Sequence, residues 1–381
     1  MSVLIWVTVG CAVVWIYLTF GHGMFWSTGL RLPAYRPPET WPSVAVVVPA
    51  RDEAAVLGET LPTLLGQDYP GPAGVVVVDD NSTDGTGDLA ARIGERGGLP
   101  MMVGTPPEPP PGWAGKMWAL RHGVELAGEV DYLLFTDADI AHAPGSLQAL
   151  VASAGDRDMV SQMARLRTVT RWEKLVIPAF VYFFAQLYPF SRVARPRART
   201  AAAAGGCTLI RMEALERIGG IDAIHGATID DVALAREVKR TGGRIWLGLA
   251  EHVRSVRPYP VLADLWRMIA RSAYTQLRHS FVLLVLTLLG LFFVYLLPPL
   301  ALLLGAVSGD WRVAAESAVA WALMTLTYLP MVRYYRLSPA WALSLPFAAV
   351  LYGLMTADSA RRHHRGEGAS WKGRTYAAEP R

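Results

Sequence analysis

The sequence predicts an α/β fold: a mostly parallel sheet covered by helices on both faces, set between apolar N- and C-terminal segments. Three observations predict it. Strand-like and helix-like runs alternate from Val44 to Thr136, the pattern of a parallel sheet with crossover helices. Each strand run ends in a polar cluster, at the edge where open α/β sheets bind ligands. Residues 3–20 and the segments after 281 are nearly free of charge and long enough to cross a bilayer.

Composition narrows the class. Of 381 residues, 52% are hydrophobic and only 18% charged, and the mean hydropathy of +0.27 is concentrated in a few segments. The net charge of +4 suits a protein beside an anionic membrane face. No dense Lys/Arg run with interleaved aromatics occurs in mid-chain, which argues against nucleic acid as a partner. Cys11 and Cys207 make no disulfide framework, so the main domain is expected in a reducing compartment, and no Cys/His spacing suits zinc.

The elements follow in order. No Lys or Arg precedes the apolar stretch 3–20, Arg31 and Arg36 follow it, and a small-residue cleavage site is absent. Residues 1–30 are therefore read as an anchor with its N-terminus outside and the following domain cytoplasmic. Pro33, Pro37, Pro38 and Pro42 stiffen a linker over 31–43. The main domain is read over 44–280. Val44–Val48 is a buried strand, followed by Pro49-Ala-Arg-Asp-Glu53 and a helix to about Gln67. Val75–Val78 is the second strand, ending in Asp79-Asp-Asn-Ser-Thr-Asp84, where Asp84 suits an N-cap. Met101–Val103 is a short third strand, and the proline-rich run 105–111 is a loop. Lys116–Ala127 reads as a helix and Tyr132–Thr136 as the fourth strand.

The second half is less regular. Arg171–Phe190 is aromatic and interrupted by Pro178 and Pro189; it reads as an interfacial helix on the membrane, with a core helix as the other reading. Gly205-Gly-Cys-Thr-Leu-Ile-Arg211 precedes a short helix near Glu213–Ile218, Asp230-Asp231 open a helix to Arg240, and Arg244–Leu247 is a strand. Pro260–His279 reads as one helix placing Arg267, Arg271, Tyr274 and Arg278 on one face. Within 281–358, segments at about 281–306, 313–332 and 340–357 are each long enough to cross, the first carrying Pro298-Pro299, which point to a kink or re-entry. The tail, 359–381, is basic through Arg361-Arg-His-His-Arg365 and Lys372-Gly-Arg374, with Trp371 and Tyr376 as interface anchors. A basic tail is expected in the cytoplasm, whereas three full crossings would leave it outside. The tail is given precedence, and one segment is read as crossing incompletely.

The candidate site is built from carboxylates at strand ends. Asp137 and Asp139, two apart in a turn, can face one hard cation, and magnesium or manganese bound that way completes its shell with substrate phosphates. A solvated Asp-x-Asp turn is the competing reading. Asp79 and Asp80 can accept hydrogen bonds from a base N–H and ribose hydroxyls, or serve as a turn. Lys116, after Gly115 at a helix start, can meet phosphate, or be a solvated lysine. Asp230 suits an N-cap, and Asp231 a general base. The arginines at 267, 271 and 278 can cap a leaving diphosphate or meet lipid head groups. The scattered histidines are assigned no chemistry.

In order, Val-Val-Pro-Ala-Arg-Asp-Glu53, Val-Asp-Asp-Asn-Ser-Thr-Asp84, Gly-Lys116, Thr-Asp-Ala-Asp139, Gly-Gly-Cys-Thr-Leu-Ile-Arg211 and Asp-Asp-Val-Ala-Leu234 resemble the catalytic domain of the family 2 glycosyltransferases, the inverting GT-A type with a Rossmann-like sheet. The resemblance covers roughly residues 43–280. It is similar in plan to ceramide glucosyltransferases, and closer to bacterial hopene-associated glycosyltransferases through Trp-Lys-Gly-Arg374-Thr-Tyr376 and Arg271-Ser-Ala-Tyr-Thr-Gln-Leu-Arg278. The resemblance implies that Pro49, Arg51 and Glu53 line a nucleotide pocket and that Asp79 and Asp80 hold uridine. It implies that Lys116 touches the diphosphate, Asp137 and Asp139 bind metal and donor, and Asp231 is the base. Arg271 matches the arginine of the later family motif, but Met268 and Ser272 replace its ends, which favours one sugar per acceptor over a polymer channel.

The expected function is a membrane glycosyltransferase of the bacterial inner membrane, facing the cytoplasm. It would move one sugar from a nucleotide-diphosphate donor, expected to be a UDP-sugar, to a hydroxyl of a lipid acceptor such as a hopanoid, with a divalent cation as cofactor. A catalytically inactive relative and a processive polysaccharide synthase are the alternatives. Neither the sugar nor the oligomeric state is legible.

Overall fold

The computed structural model describes residues 2–33, 37–366, 370–371 and 374–375. Lys372 and Tyr376 of the tail lie outside the described residues. The chain divides into two compact units. One comprises Met1–Thr28, Thr168–Ser191 and Tyr259–Glu367; the other comprises Gly29–Arg167, Arg192–Pro258 and Gly368–Arg381.

The second unit holds an eight-stranded sheet: β1 (Val44–Ala50), β2 (Ala73–Asp79), β3 (Met101–Gly104), β4 (Tyr132–Phe135), β5 (Ile140–His142), β6 (Met159–Arg165), β7 (Thr208–Arg211) and β8 (Ile245–Ser255), in the order β3-β2-β1-β4-β7-β6-β8-β5. Every residue of β1 is buried, as a central strand covered on both faces requires. It pairs in parallel with β2 from Val44↔Ala73 to Ala50↔Asp79, and with β4 from Val44↔Tyr132 to Val47↔Phe135. From β1 the chain winds outward to β2 and β3, then returns to lay β4 on β1's other side. That reversal puts a crevice at the carboxyl ends of β1 and β4. The mostly parallel expectation holds over β1–β4; β7 runs antiparallel to β4 and β6, and β5 antiparallel to β8.

Helices deliver side chains to that crevice. Ala54–Leu65 buries Leu57, Leu61 and Leu64, one stripe at helical spacing. Gly115–Ala127 lies so close to the sheet that a Cβ on Gly123 would fall 2.4 Å from Val47 Cγ1 and 3.0 Å from Val78 Cγ2. Asp84 is not the cap of the next helix. Gly85, with a φ of 82°, holds the N-cap position of Thr86–Gly94, because only a left-handed residue closes that turn. The Asp84 carboxylate instead accepts the Thr86 and Ala54 N–H groups, each at 3.0 Å, tying the loops after β1 and β2 together.

Strand β6 had no counterpart in the sequence reading. Its polar residues Ser161 and Gln162 are buried, and Ser161 Oγ lies within 3.2 Å of the Ala204 and Cys207 carbonyls. Tertiary hydrogen bonding thus hides a core strand behind a polar pattern. Strand β8 extends eight residues beyond Leu247, to Ser255.

The first unit is helical. Ser2–Phe20, Phe281–Ser308 and Pro339–His364 each carry an apolar window long enough to cross a membrane. Trp311–Tyr334, expected to cross, has 24 residues but is not among the three; its apolar residues are interspersed with Ser, Thr, Tyr and Glu316. Arg171–Leu187 starts at a capping box, Thr170 with Glu173, and stops before Pro189. It buries Val176, Ile177, Val181 and Tyr182 while leaving Trp172 and Leu187 exposed.

The expected continuous helix over Pro260–His279 is broken. Leu262–Ala270 ends at Arg271, Ala273–Gln276 forms a separate turn, and Arg278 and His279 are left-handed at φ 52° and 53°. The Tyr274 N–H is diverted to Ser359 Oγ at 3.0 Å, and the Tyr274 hydroxyl donates back to the His279 carbonyl at 2.8 Å. Arg267, Arg271 and Arg278 therefore share no helix face.

Candidate active site

The end of β1 contributes Pro49, and the turn after β4 contributes Thr136 and Asp137. The helix Gly115–Ala127 contributes Lys116 from its first turn; its N-cap residue Ala114 donates to the His225 carbonyl at 2.8 Å. The helix Asp230–Arg240 opens with Asp230 and Asp231. These residues line one open cavity together with Gly205, Thr208, Ile221 and Leu234.

Lys116 Nζ bridges two carboxylates, lying 2.8 Å from Asp137 Oδ1 and 2.9 Å from Asp230 Oδ2. Burial works against its charge, but Asp137 and Asp230 outweigh it and hold the ammonium above its ordinary range. Asp230 is thus not an N-cap. Ile229 occupies that position, and the Asp230 side chain turns to the lysine. Asp231 accepts the Gly205 N–H at 2.9 Å and the Val232 N–H at 2.7 Å. Burial first, and the Asp230 charge second, push its carboxyl up to about 7, against the opposing pull of Lys116 and the two N–H donors. The backbone at Gly205 is the pivot. A Cβ there would lie 3.4 Å from Lys116 Nζ, 3.7 Å from Asp231 Oδ2 and 3.8 Å from Asp137 Oδ2.

A second group adjoins the first through the Asp137-Ala138-Asp139 turn. Asp139 Oδ2 accepts from Ser255 Oγ at 2.7 Å and lies 3.3 Å from Arg257 Nε. Arg257 Nη2 also reaches both oxygens of Glu53, each at 2.7 Å. One guanidinium thus spans from the loop after β1 to the turn after β4. A third group lies at the end of β2. Asp80 is fully buried, with Oδ2 3.4 Å from Arg51 Nη1. Asp79 Oδ1 accepts the Ser82 N–H at 3.2 Å and its hydroxyl.

Of the residues singled out in the sequence, Pro49, Lys116, Asp137 and Asp231 line one cavity, Asp139 joins Glu53 through Arg257, and Arg51 joins Asp80. Arg271 belongs to the helical unit, exposed at the end of Leu262–Ala270. Sequence reasoning missed Ser255 and Arg257. The signal was the carboxyl end of β8, concealed because the strand looked finished at Leu247. His142 is a satisfied core histidine. Its Nε2 lies 2.9 Å from Thr136 Oγ1, and burial lowers its pKa to about 4.

The donor set bears on a metal. Among the described residues no group of three His, Cys, Asp or Glu side chains is placed to hold one. Asp137 and Asp139 offer two carboxylates from one turn, which fits a magnesium or manganese ion only where substrate oxygens complete the shell.

A family model described as "Glycosyltransferase like family 2" matches residues 42–275. A protein of Bacillus subtilis (strain 168), described as "Probable glycosyltransferase YdaM", is 31% identical over 142 residues, which are 34% of this chain and 33% of that protein. The matched part is thus about a third of that relative's length. Among solved structures, the mannosyltransferase PcManGT from Pyrobaculum calidifontis, in complex with GDP-Man and Mn2+, superposes with a TM-score of 0.52. Its identity is 20%, over 93% of this chain and 99% of that one. That likeness shows a shared fold.

Proposed function

We propose a function on the premise that this chain belongs to glycosyltransferase-like family 2, whose model matches it over residues 42–275. The chain transfers one sugar, with inversion, from a nucleotide-diphosphate donor to a hydroxyl of a lipid acceptor. The observation that carries this reading is the cavity at the carboxyl ends of β1 and β4. There Lys116 joins Asp137 to Asp230, and Gly205 holds Asp231 beside them.

The chemistry follows from the residues. Asp231, with a pKa of about 7, accepts the proton of the acceptor hydroxyl. The oxygen forms its bond to the anomeric carbon as the bond to the diphosphate oxygen breaks, and the electron pair leaves with the nucleoside diphosphate. Lys116 faces the diphosphate as a fixed cation. Asp137 and Asp139 would hold a divalent cation whose contribution, when bound, is to neutralise the departing diphosphate. The resemblance assigns Glu53, Arg51, Asp79 and Asp80, at or just after the ends of β1 and β2, to the nucleoside subsite. The resemblance points to uridine; the relative that binds GDP-Man keeps guanine open as the base.

The three apolar helices support a membrane location and a lipid acceptor. A hopanoid is the acceptor the resemblance favours, and the bacterial inner membrane, with the sheet unit on the cytoplasmic side, is the corresponding location. The altered ends of the Arg271 motif favour one sugar per acceptor. The test is Asp231→Asn in membranes supplied with labelled nucleotide sugars, with the labelled lipid identified by mass. Donor binding is expected to persist while transfer falls by about 10²- to 10⁴-fold. Normal turnover would remove the base assignment.

A further inference from the structure

We propose that the loop Arg192–Thr200 is a docking surface for the phosphate groups of acidic lipids. This rests on the membrane reading above. The loop begins where the chain leaves the helical unit, since the boundary falls after Ser191. It carries Arg192, Arg195, Arg197 and Arg199, and no Asp or Glu occurs between Glu173 and Glu213. Arg195, Arg197 and Arg199 are exposed, and none has an ion-pair partner among the described residues. Four other arginines of the same unit are paired: Arg217 with Asp158, Arg244 with Asp156, Arg254 with Glu59 and Arg257 with Glu53. Three unneutralised guanidiniums within five residues repel one another unless an anion joins them, and guanidinium matches phosphate geometry.

The loop is built rather than loose. Lys239 Nζ donates to the Val193 carbonyl at 2.9 Å and to the Thr200 carbonyl at 2.7 Å, clasping both ends. Lys239 lies in the last turn of the helix that opens with Asp230 and Asp231. The loop then runs through the buried residues 201–204 to Gly205, whose N–H holds Asp231. The arginine loop is therefore fastened to both ends of the helix that carries the proposed base. A basic segment one residue past a membrane-associated unit is where an anionic leaflet attracts charge. This favours lipid phosphate as the occupant.

The test is hydrogen exchange of the full chain in nanodiscs of phosphatidylcholine alone or mixed with phosphatidylglycerol. Residues 192–200 are expected to exchange more slowly, on the order of tenfold, in the acidic discs. The triple variant Arg195→Gln/Arg197→Gln/Arg199→Gln should lose that protection. Arg92→Gln/Arg96→Gln, which removes charge from another exposed site, should keep it. Lys239→Met should speed exchange of the loop in both discs and leave the strands unchanged. Equal exchange of wild type in the two discs, or protection that survives in the triple variant, overturns the proposal. So does equal protection by inorganic phosphate or single-stranded RNA in phosphatidylcholine discs. A chain that fails to enter either disc refutes the membrane reading itself; a chain that enters without differential protection refutes only the lipid docking.

Discussion

At the scale of single residues, charge balance around Gly205 governs what the site can do. Asp231 has its pKa raised from an ordinary 3.8 to about 7, so the folded chain holds its proton more tightly than the unfolded one. The associated stability is fully present below the unfolded value and is lost as pH rises through about 7. A base must be deprotonated to act. kcat/KM should therefore climb about tenfold per pH unit on the acid side and level off above this pKa. A pH–rate profile flat across that range would remove Asp231 as the titrating group. Lys116→Met is expected to weaken donor binding by ten- to a hundredfold, on the order of a lost charge-assisted hydrogen bond. It should also move the acid limb to higher pH, because Lys116 is one of the groups pulling Asp231 down; calorimetry with donor and a second profile check both. The sequence showed these acids at strand and helix ends, where their chemical type and their place on the sheet were legible. It did not show that Asp230 faces Lys116 instead of capping its helix, because capping and ion pairing demand the same residue at the same spot.

At the scale of elements, local signals served where backbone and side chain agreed. The strands β1, β2 and β4 are uninterrupted apolar runs, and each was readable. β6 and the far half of β8 carry Ser161, Gln162, Glu251 and His252, and only tertiary hydrogen bonding makes strands of them. Missing β8's end meant missing Arg257. The opposite lesson comes from Phe281–Ser308, where Pro298-Pro299 suggested a kink or re-entry. The helix continues through a π-turn at Phe292–Leu296, the usual accommodation of an inserted break. The Val294 carbonyl meets Pro298 and Pro299 at the two positions that could supply a donor, and neither has an N–H. Trp15 Nε1 supplies one at 2.8 Å from the N-terminal helix, and Cys11 Sγ lies 3.0 Å from the Phe293 carbonyl. Trp15→Phe keeps the packed ring and removes the donor. It is expected to destabilise the helical unit by about 1 kcal/mol, read as a lower midpoint of thermal unfolding in detergent, with donor binding unchanged.

At the scale of the whole chain, the unresolved sequence conflict was the side of the tail. Counting three C-terminal crossings placed it opposite the sheet unit, whereas its arginines argued for the same side. Contacts within the helical unit bear on that conflict. His279, two residues before the first C-terminal span, stacks on His363 with ring centroids 4.1 Å apart. Ser359 Oγ accepts the Tyr274 N–H at 3.0 Å, and the Tyr274 hydroxyl lies 3.4 Å from His364 Nε2. The end of Leu345–His364 is thus level with the start of Phe281–Leu291, which supports the reading that one C-terminal segment does not cross and that the tail returns to the side from which the first span entered. Trp311–Tyr334 need not be as apolar as a lipid-facing span. It buries nine residues and answers its Glu316 with Thr8 Oγ1 at 2.6 Å, and a helix shielded by its neighbours tolerates such polar groups. With the N-terminus outside, this predicts Ser308 outside and Arg365 inside. In a background with Cys11 and Cys207 replaced by Ser, Ser308→Cys should react with a membrane-impermeant maleimide on intact cells. Arg365→Cys should react only after permeabilisation. Labelling of both positions from outside would mean that the stacked histidines do not share the cytoplasmic face, and the sidedness inferred from the arginines would fall with it.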